Sequence, residues 1–394
     1  MQNSLTNILF IVNTLKRRGA EQQLFSFFKF LPPSIAIHVF TFSSNREDFP
    51  ELFDYRRVTI HTNPHAGTYN IFRFLPLLDC FRREDIDVVV TVGLGAALML
   101  GRVAAVLFNR KIIYSTLNTF VNFNRLPRVN DAYFDILNKG INNFFTFFFH
   151  RRIFRFLPNS EQLAAMVKKS LKAYPVQTLY NGLPLNELSG KLGKNAARTI
   201  EPILSEIEGR PCVIQVGAID KNKNVAFTLE CMRNIHRHVP DALLVIIGDG
   251  PQKPDLEKRV EEYSLSDHVH FTGQLGRAAC LALMRSADVI TLTSLSESFP
   301  NVLLEGQGLG LAAITSDVGA AKEIVSHEET GYVIPAGDQN AFTERLQELL
   351  EDGDKCKAMG QKGKERILER FSMDRKVDAF MTMVKEDMRR LGND

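Results

Sequence analysis

Short aliphatic and β-branched runs alternate with longer amphipathic stretches along almost the whole chain, and this alternation limits what it can fold into. Such a pattern specifies α/β architecture with parallel sheets. In the first half, strands are expected at Asn7–Val12, Ala36–Phe42, Asp87–Val92, Lys111–Thr116 and Arg152–Leu157, with helices between them, notably Tyr69–Arg83 and Asp131–Phe149. In the second half, Cys212–Val216, Ala242–Ile247, His268–Phe271, Val289–Leu292 and Ala312–Thr315 read as strands. Helices are expected to start near Ala20, Asn224, Lys253, Arg277, Pro300 and Ala320, and 341–390 reads as almost wholly helical.

The 394 residues exceed what one hydrophobic core usually serves, so two domains are expected. The turn Asn181-Gly182-Leu183-Pro184 ends the first half, and the polar stretch Ser189–Arg198 reads as the joining region. The boundaries drawn are 1–183 and 184–374 for two α/β domains, and 375–394 for a helix returning to the first domain.

A formal net charge of +3 is too small to indicate a nucleic-acid binder. The five cysteines are scattered without a CxxC pair, which suggests neither a disulfide framework nor a zinc site. The nine histidines are spread along the chain, and no metal is expected. No stretch reaches the ~18 apolar residues of a membrane span, and the first apolar run follows no basic region, so a cytoplasmic location is expected.

Ligands of open parallel sheets bind beyond the carboxyl ends of the strands, so the loops there matter most. Val289–Leu292 is followed by Thr293-Ser294-Leu295-Ser296-Glu297-Ser298-Phe299-Pro300-Asn301 and then Val302-Leu303-Leu304-Glu305. Pro300 suits a helix start and Ser298 a cap. The N–H groups of Asn301 and Val302 would then make an anion site suited to a diphosphate. Taken singly, Glu297 reads as a helix-start acid and Glu305 as a solvated helix residue. The surrounding residues change that balance.

The order of this strand, Ser-x-Glu-Ser-Phe-Pro-Asn, Glu305, and then Ser316-Asp317-Val318-Gly319 closely resembles the retaining glycosyltransferases of family 4, with the GT-B fold of two Rossmann-like domains facing across a cleft. Their E-x7-E motif falls on Glu297 and Glu305, and their Phe-Pro-Asn on Phe299 to Asn301. The resemblance implies that Glu297 meets the donor sugar near the reacting centre, that Glu305 holds the ribose, and that Asn301 and Val302 take the distal phosphate.

The loop Gly217-Ala218-Ile219-Asp220-Lys221-Asn222-Lys223 leaves a strand and enters a helix. By the same resemblance Lys223 neutralises the leaving diphosphate. The family's arginine falls on Ala218, and Lys221 is the substitute considered. Gly248 in Gly-Asp-Gly-Pro is expected to let the backbone lie close to a ligand, and Phe271-Thr272 to frame the nucleotide base. In the first half, Gly19 of Arg18-Gly19-Ala20-Glu21 matches a donor-phosphate loop. The family's histidine falls on Leu117, leaving Asn118 as the polar candidate.

The expected activity is transfer of a sugar, with retention, from a nucleoside-diphosphate sugar (a UDP-sugar as first choice) to a hydroxyl of a glycan, lipid-linked or other acceptor. Neither cofactor nor metal is expected. The alternatives are a nucleotide-sugar epimerase on the same fold and a non-catalytic nucleotide-sugar-binding protein. Basic clusters and Phe144–Phe149 leave peripheral contact with the cytoplasmic membrane face open. The blander reading, a buried helix feeding the strand at Arg152, is preferred.

Overall fold

A computed structural model describes residues 6–15, 19–42, 57–62, 74–93, 96–117, 152–170, 174–190 and 192–392. Two compact units divide the chain, one comprising Met1–Tyr180 with Lys376–Asp394 and the other Asn181–Arg375. Each is built on a parallel sheet of six strands. In the first unit these are β1 (Thr6–Val12), β2 (Ile35–Thr41), β3 (Val58–Thr62), β4 (Val88–Val92), β5 (Ile112–Leu117) and β6 (Ile153–Pro158). In the second they are β7 (Cys212–Val216), β8 (Leu243–Ile247), β9 (Val269–Gly273), β10 (Val289–Leu292), β11 (Ala312–Ser316) and β12 (Gly331–Ile334).

The spatial orders β3-β2-β1-β4-β5-β6 and β12-β11-β10-β7-β8-β9 are one topology used twice. In each sheet the order reverses direction beside the first strand of the unit: between β1 and β4, and between β7 and β10. Those are the switch points at which doubly wound sheets bind ligands. Strands covered on both faces lose the polar alternation of a one-sided sheet. Ile8, Leu9, Phe10 and Ile11 of β1 are each at most 1% exposed, and Leu243, Leu244, Val245 and Ile246 of β8 are equally hidden.

A small device recurs at the opposite end of both switch points. The Asp87 carboxylate, just before β4, accepts the Asn7 N–H of β1 at 2.8 Å. Asp288, just before β10, accepts the Cys212 N–H of β7 at the same distance. Each aspartate supplies the partner that a strand start lacks.

The ten strands expected from sequence all form, Cys212–Val216 and Val289–Leu292 with the expected ends and the others within a residue or two. Among the described residues two strands were missed, β3 and β12, and both are sheet edges. Edge strands are short and pair on one side only, so their sequence carries the weakest pattern. The polar stretch Ser189–Arg198 corrects a second expectation, because a helix, Lys194–Ile207, starts within it. Lys194, Asn195 and Arg198 face solvent, while Ile200 and Ile207, further on, supply the buried stripe. The turn at Asn181 also changes sides. Leu183 exchanges backbone hydrogen bonds with Phe371 and Met373, at 2.7 and 2.9 Å, so it belongs to the second unit. The helix expected at Asp131–Phe149, the Phe144–Phe149 run and Asn118 lie outside the described residues. So does the first part of Tyr69–Arg83, whose described helix is Leu75–Arg83. Among the described residues no helix is long and apolar enough to cross a membrane.

The final helix, Met373–Gly392, is tied into the first unit by one carboxylate. Asp387 has no exposure. Its two oxygens take Arg155 Nε at 2.8 Å and Nη2 at 2.6 Å, and Oδ2 also accepts the Tyr114 hydroxyl at 2.8 Å. Burial, and next the hydrogen bond to Asp387, push the Tyr114 phenol far above its ordinary value, so it serves only as a donor. A buried carboxylate is tolerable when its lone pairs are met this fully, but removing it strands the arginine. Asp387→Ala is therefore expected to destabilise the first unit by about 3–5 kcal/mol, read as a lowered urea midpoint.

Candidate active site

At the second switch point, β7 and β10 run side by side and their following loops meet. The first loop, Gly217 to Asn224, leads to helix Val225–Ile235, and the second, Thr293 to Pro300, leads to helix Asn301–Leu309. Lys223 Nζ lies 2.6 Å from Glu297 Oε1, and Ser294 Oγ donates to the same oxygen at 2.8 Å. Both partners are partly shielded, Lys223 25% and Glu297 15% exposed in their side chains. An ion pair in such a position is screened less than one on the surface.

Buried polar side chains beneath this pair fix the two loops to each other. Gln215 donates to the Lys223 carbonyl at 3.2 Å and to Thr293 Oγ1 at 3.1 Å. The Thr293 hydroxyl also reaches the carbonyls of Lys223 and Asn224 and the hydroxyl of Thr228. The backbone completes the joint: Leu295 N–H donates to the Asn222 carbonyl at 2.7 Å, and the Asn222 side chain donates to the Ser296 carbonyl at 3.0 Å. Asn224 turns left-handed, at φ 50°, to launch the helix after Lys223. The Lys223 N–H is held by Asp220 Oδ1 at 2.9 Å.

Glu305, one helix face further in, is engaged by Arg277 Nη1 at 2.7 Å, and Arg277 Nε lies 3.7 Å from Glu187. The two glutamates of the E-x7-E spacing are thus each matched to a cation, Lys223 and Arg277. The sequence reading did not find Arg277 as a site residue, nor the positioning residues Gln215, Thr228, Thr293 and Ser294. Uncharged polar residues at or just past a strand's carboxyl end are the signal that could have found Gln215, Thr293 and Ser294, whereas Thr228 lies in the first turn of helix Val225–Ile235.

Several expectations change in detail. Helix Asn301–Leu309 has Pro300 at its N-cap with no side-chain cap, so Ser298 is not the cap. Leu303 N–H turns back to the Pro300 carbonyl, which leaves the N–H groups of Asn301 and Val302 as first-turn donors without a preceding helical carbonyl. The Asn301 side chain accepts from Asn181 Nδ2 at 2.9 Å. Phe299, expected at the donor, is 6% exposed and packs on Phe371 with ring centres 6.1 Å apart, so its side chain serves the core. Phe271 is likewise packed against the core of the second unit. The Thr272 hydroxyl donates to the Gly273 carbonyl at 2.8 Å. Lys221 and Ala218 are exposed. Gly19 opens helix Gly19–Phe30 in the first unit.

Gly248 needs no ligand to explain it. A Cβ there would sit 1.8 Å from the Gly217 carbonyl oxygen, and its φ is +148°. The close approach it permits is between two loops of the same sheet edge, joined by Gly217 N–H to the Ile247 carbonyl and Ile219 N–H to the Asp249 carbonyl. Gly319 does the same for the second loop: at φ +53°, its Cβ would fall 2.1 Å from the Glu297 carbonyl oxygen. Backbone thus packs on backbone at both ends of the Lys223–Glu297 pair.

Residues 197–366 match the family model of "Glycosyl transferases group 1". The chain is 30% identical over 182 residues to the N-acetyl-alpha-D-glucosaminyl L-malate synthase of Bacillus anthracis, covering 46% of this chain and 47% of that one. It is also 30% identical over 172 residues to a GDP-mannose-dependent alpha-(1-6)-phosphatidylinositol monomannoside mannosyltransferase of Mycobacterium tuberculosis, covering 42% and 45%. The matched stretch therefore spans about half the length of these relatives. In structure, 97% of the chain superposes on all of Anabaena Alr3699/HepE, crystallised in complex with UDP, with a TM-score of 0.78 at 17% identity. The glycosyltransferase WaaG, involved in lipopolysaccharide biosynthesis, aligns with a TM-score of 0.64 at 14% identity over 94% of this chain and 98% of its own. At these identities the likeness establishes the fold, which is GT-B.

Gly248→Ala should lower the stability of the second unit by about 1–3 kcal/mol, since the methyl group must displace the Gly217 loop. Thermal unfolding of the purified variant checks this, and an unchanged transition would show that the loops are not in contact.

Proposed function

With residues 197–366 matching the model of glycosyl transferases group 1 and 94% of the chain following the fold of the glycosyltransferase WaaG, we propose that the chain moves a sugar from a nucleoside-diphosphate sugar to an acceptor hydroxyl. The observation that carries this reading is the Lys223–Glu297 pair, set at a sheet switch point just before the N-terminus of helix Asn301–Leu309. Lys223 and the amides of Asn301 and Val302 are the positive groups offered to a diphosphate. The Anabaena relative was crystallised with UDP and with UDP-glucose, so UDP-sugars are the first donors to test.

In the proposed reaction the bond between the anomeric carbon and the diphosphate oxygen breaks as the acceptor oxygen bonds to that carbon. Charge develops on the departing diphosphate, and stabilising it is the main task of the site. Lys223 supplies a cation there. Its pairing with Glu297 and the clasp from Gln215 and Thr293 hold it in place before the donor arrives, so little reorganisation accompanies reaction. Glu297 uses Oε1 for Lys223 and Ser294, and Oε2 is assigned to a hydroxyl of the donor sugar. Glu305, braced by Arg277, is assigned to the ribose.

The carboxylate of Glu297 is committed to Lys223 and is poorly suited to act as a nucleophile. Retention is therefore proposed to come from same-face attack, with the departing phosphate oxygen taking the acceptor's proton. The acceptor class is a hydroxyl of a glycan or a lipid-linked molecule, and contact with the membrane face is part of this proposal only for the lipid-linked case.

Melting curves with UDP-, GDP- and ADP-sugars should show one nucleotide class raising the transition of the wild-type protein. With that donor, Glu297→Ala and Lys223→Ala should each reduce nucleotide release by on the order of 100- to 1,000-fold while the circular dichroism stays native. Wild-type turnover in either folded variant would remove the assignment. Arg277→Met should instead weaken donor affinity more than it slows turnover, because its action through Glu305 falls on the ribose and not on the reacting bond.

A further inference from the structure

Three donor atoms in the first unit converge at a place that the transferase reading leaves unused. His38 lies in β2 and His61 in β3. Their parallel register sets His38 opposite Thr59, and Phe40 opposite His61, so both imidazoles project from one face as diagonal neighbours. The rings stack with centres 5.8 Å apart and planes 20° apart. Glu84 ends helix Leu75–Arg83 on that face, fixed by its own N–H donating to the Cys80 carbonyl at 3.0 Å.

The carboxylate of Glu84 faces both rings at once. Oε2 is 3.7 Å from His38 Nδ1 and Oε1 is 3.8 Å from His61 Nε2. All three donors lie within 4.8 Å of one another. Neither distance is a hydrogen bond. Both nitrogens are buried and have no hydrogen-bond partner, and the His38 side chain is only 9% exposed. Buried polar atoms are almost always satisfied, so two unpaired nitrogens aimed at one carboxylate need a reason. A histidinium–carboxylate pair does not supply it, since charge-assisted contacts of that kind close to about 2.7–2.9 Å.

We propose that His38, His61 and Glu84 bind a divalent first-row transition ion, zinc or one like it, with solvent completing the coordination. Two imidazole nitrogens and a carboxylate oxygen are a standard donor set for such ions. Bonds of 2.0–2.1 Å in a tetrahedron space neighbouring donors about 3.3 Å apart, so the three groups need only a small contraction to reach that spacing. Burial, outweighing the attraction of Glu84, lowers the affinity of both rings for protons, which leaves their lone pairs available to a metal. The neighbouring cation, Arg83, is turned to Asp79 at 2.8 Å on its own helix. The Cys80 thiol, pushed up to about 12 mainly by burial, stays protonated and outside the donor set. The sequence gives no hint of this site, because two strands and a helix end bring its members together.

Such an ion would pin the edge strand β3 to β2 and to the helix. The test is a Zn²⁺ titration of EDTA-treated full-length protein by calorimetry, with melting curves alongside. The wild type should bind one Zn²⁺ per chain and melt higher with it. Co²⁺ should give a tetrahedral visible spectrum without a thiolate band. His61→Ala and Glu84→Gln, which alter the two more exposed members, should bind Zn²⁺ at least tenfold more weakly while folding as judged by circular dichroism. If one variant fails to fold, the other together with the Co²⁺ spectrum decides. No Zn²⁺ binding by the stripped wild type, unchanged binding in a folded variant, or a thiolate band would each overturn the site.

Discussion

An ion pair between two loops, Lys223 with Glu297 at 2.6 Å, is the contact on which the candidate site depends. It can form only because β7 and β10 are neighbours in a parallel sheet, so that both loops leave on the same side. A lysine and a glutamate held this close in a half-buried place would each be costly alone. The protein secures them by joining the loops first. Gln215, Thr228 and Thr293 form a polar clasp below the pair, glycines at 248 and 319 allow backbone to pack on backbone around it, and Gly217 leaves room for the Lys223 side chain. Rigid support of this kind is what the proposed transfer, with its highly charged leaving group, requires.

The two units repeat one topology, yet the site features described fall in the second. The first unit uses its buried polar groups differently. Asp387 gathers Arg155 and Tyr114 to bind the final helix. Arg102 packs over the adjoining rings of Phe154 and Phe156, with its guanidinium 4.3 and 4.8 Å from their centres. Burial lowers that guanidinium to about 9. Stacking on aromatic faces is one of the few ways to hold an arginine in an apolar layer.

Much of the architecture is legible in the residues. Cys212–Val216 and Val289–Leu292 were read with their observed ends, because each is a short apolar run stopped by Gly217 or by the polar Thr293-Ser294. Val58–Thr62 and Gly331–Ile334 were not read, because an edge strand that alternates polar residues or begins with glycine looks like a loop. Helix Lys194–Ile207 was hidden for a related reason, since its first turn is solvent-facing and polar and its buried residues come later.

Sequence by itself determined the α/β class, the strand-to-helix order and the residues at the switch point, Lys223, Glu297, Asn301 and Glu305 among them. The class and order depend on local pattern, and the residues on the resemblance of their motifs to a known family, both of which a linear reading contains. Only the tertiary structure decided which of them meet and what supports them: Arg277 beside Glu305, Gln215 and Thr293 under Lys223, Phe299 turned into the core, and His38 with His61 and Glu84. Those partners come from separate strands and helices. Their proximity is set by sheet register and helix packing, which no short window of sequence specifies.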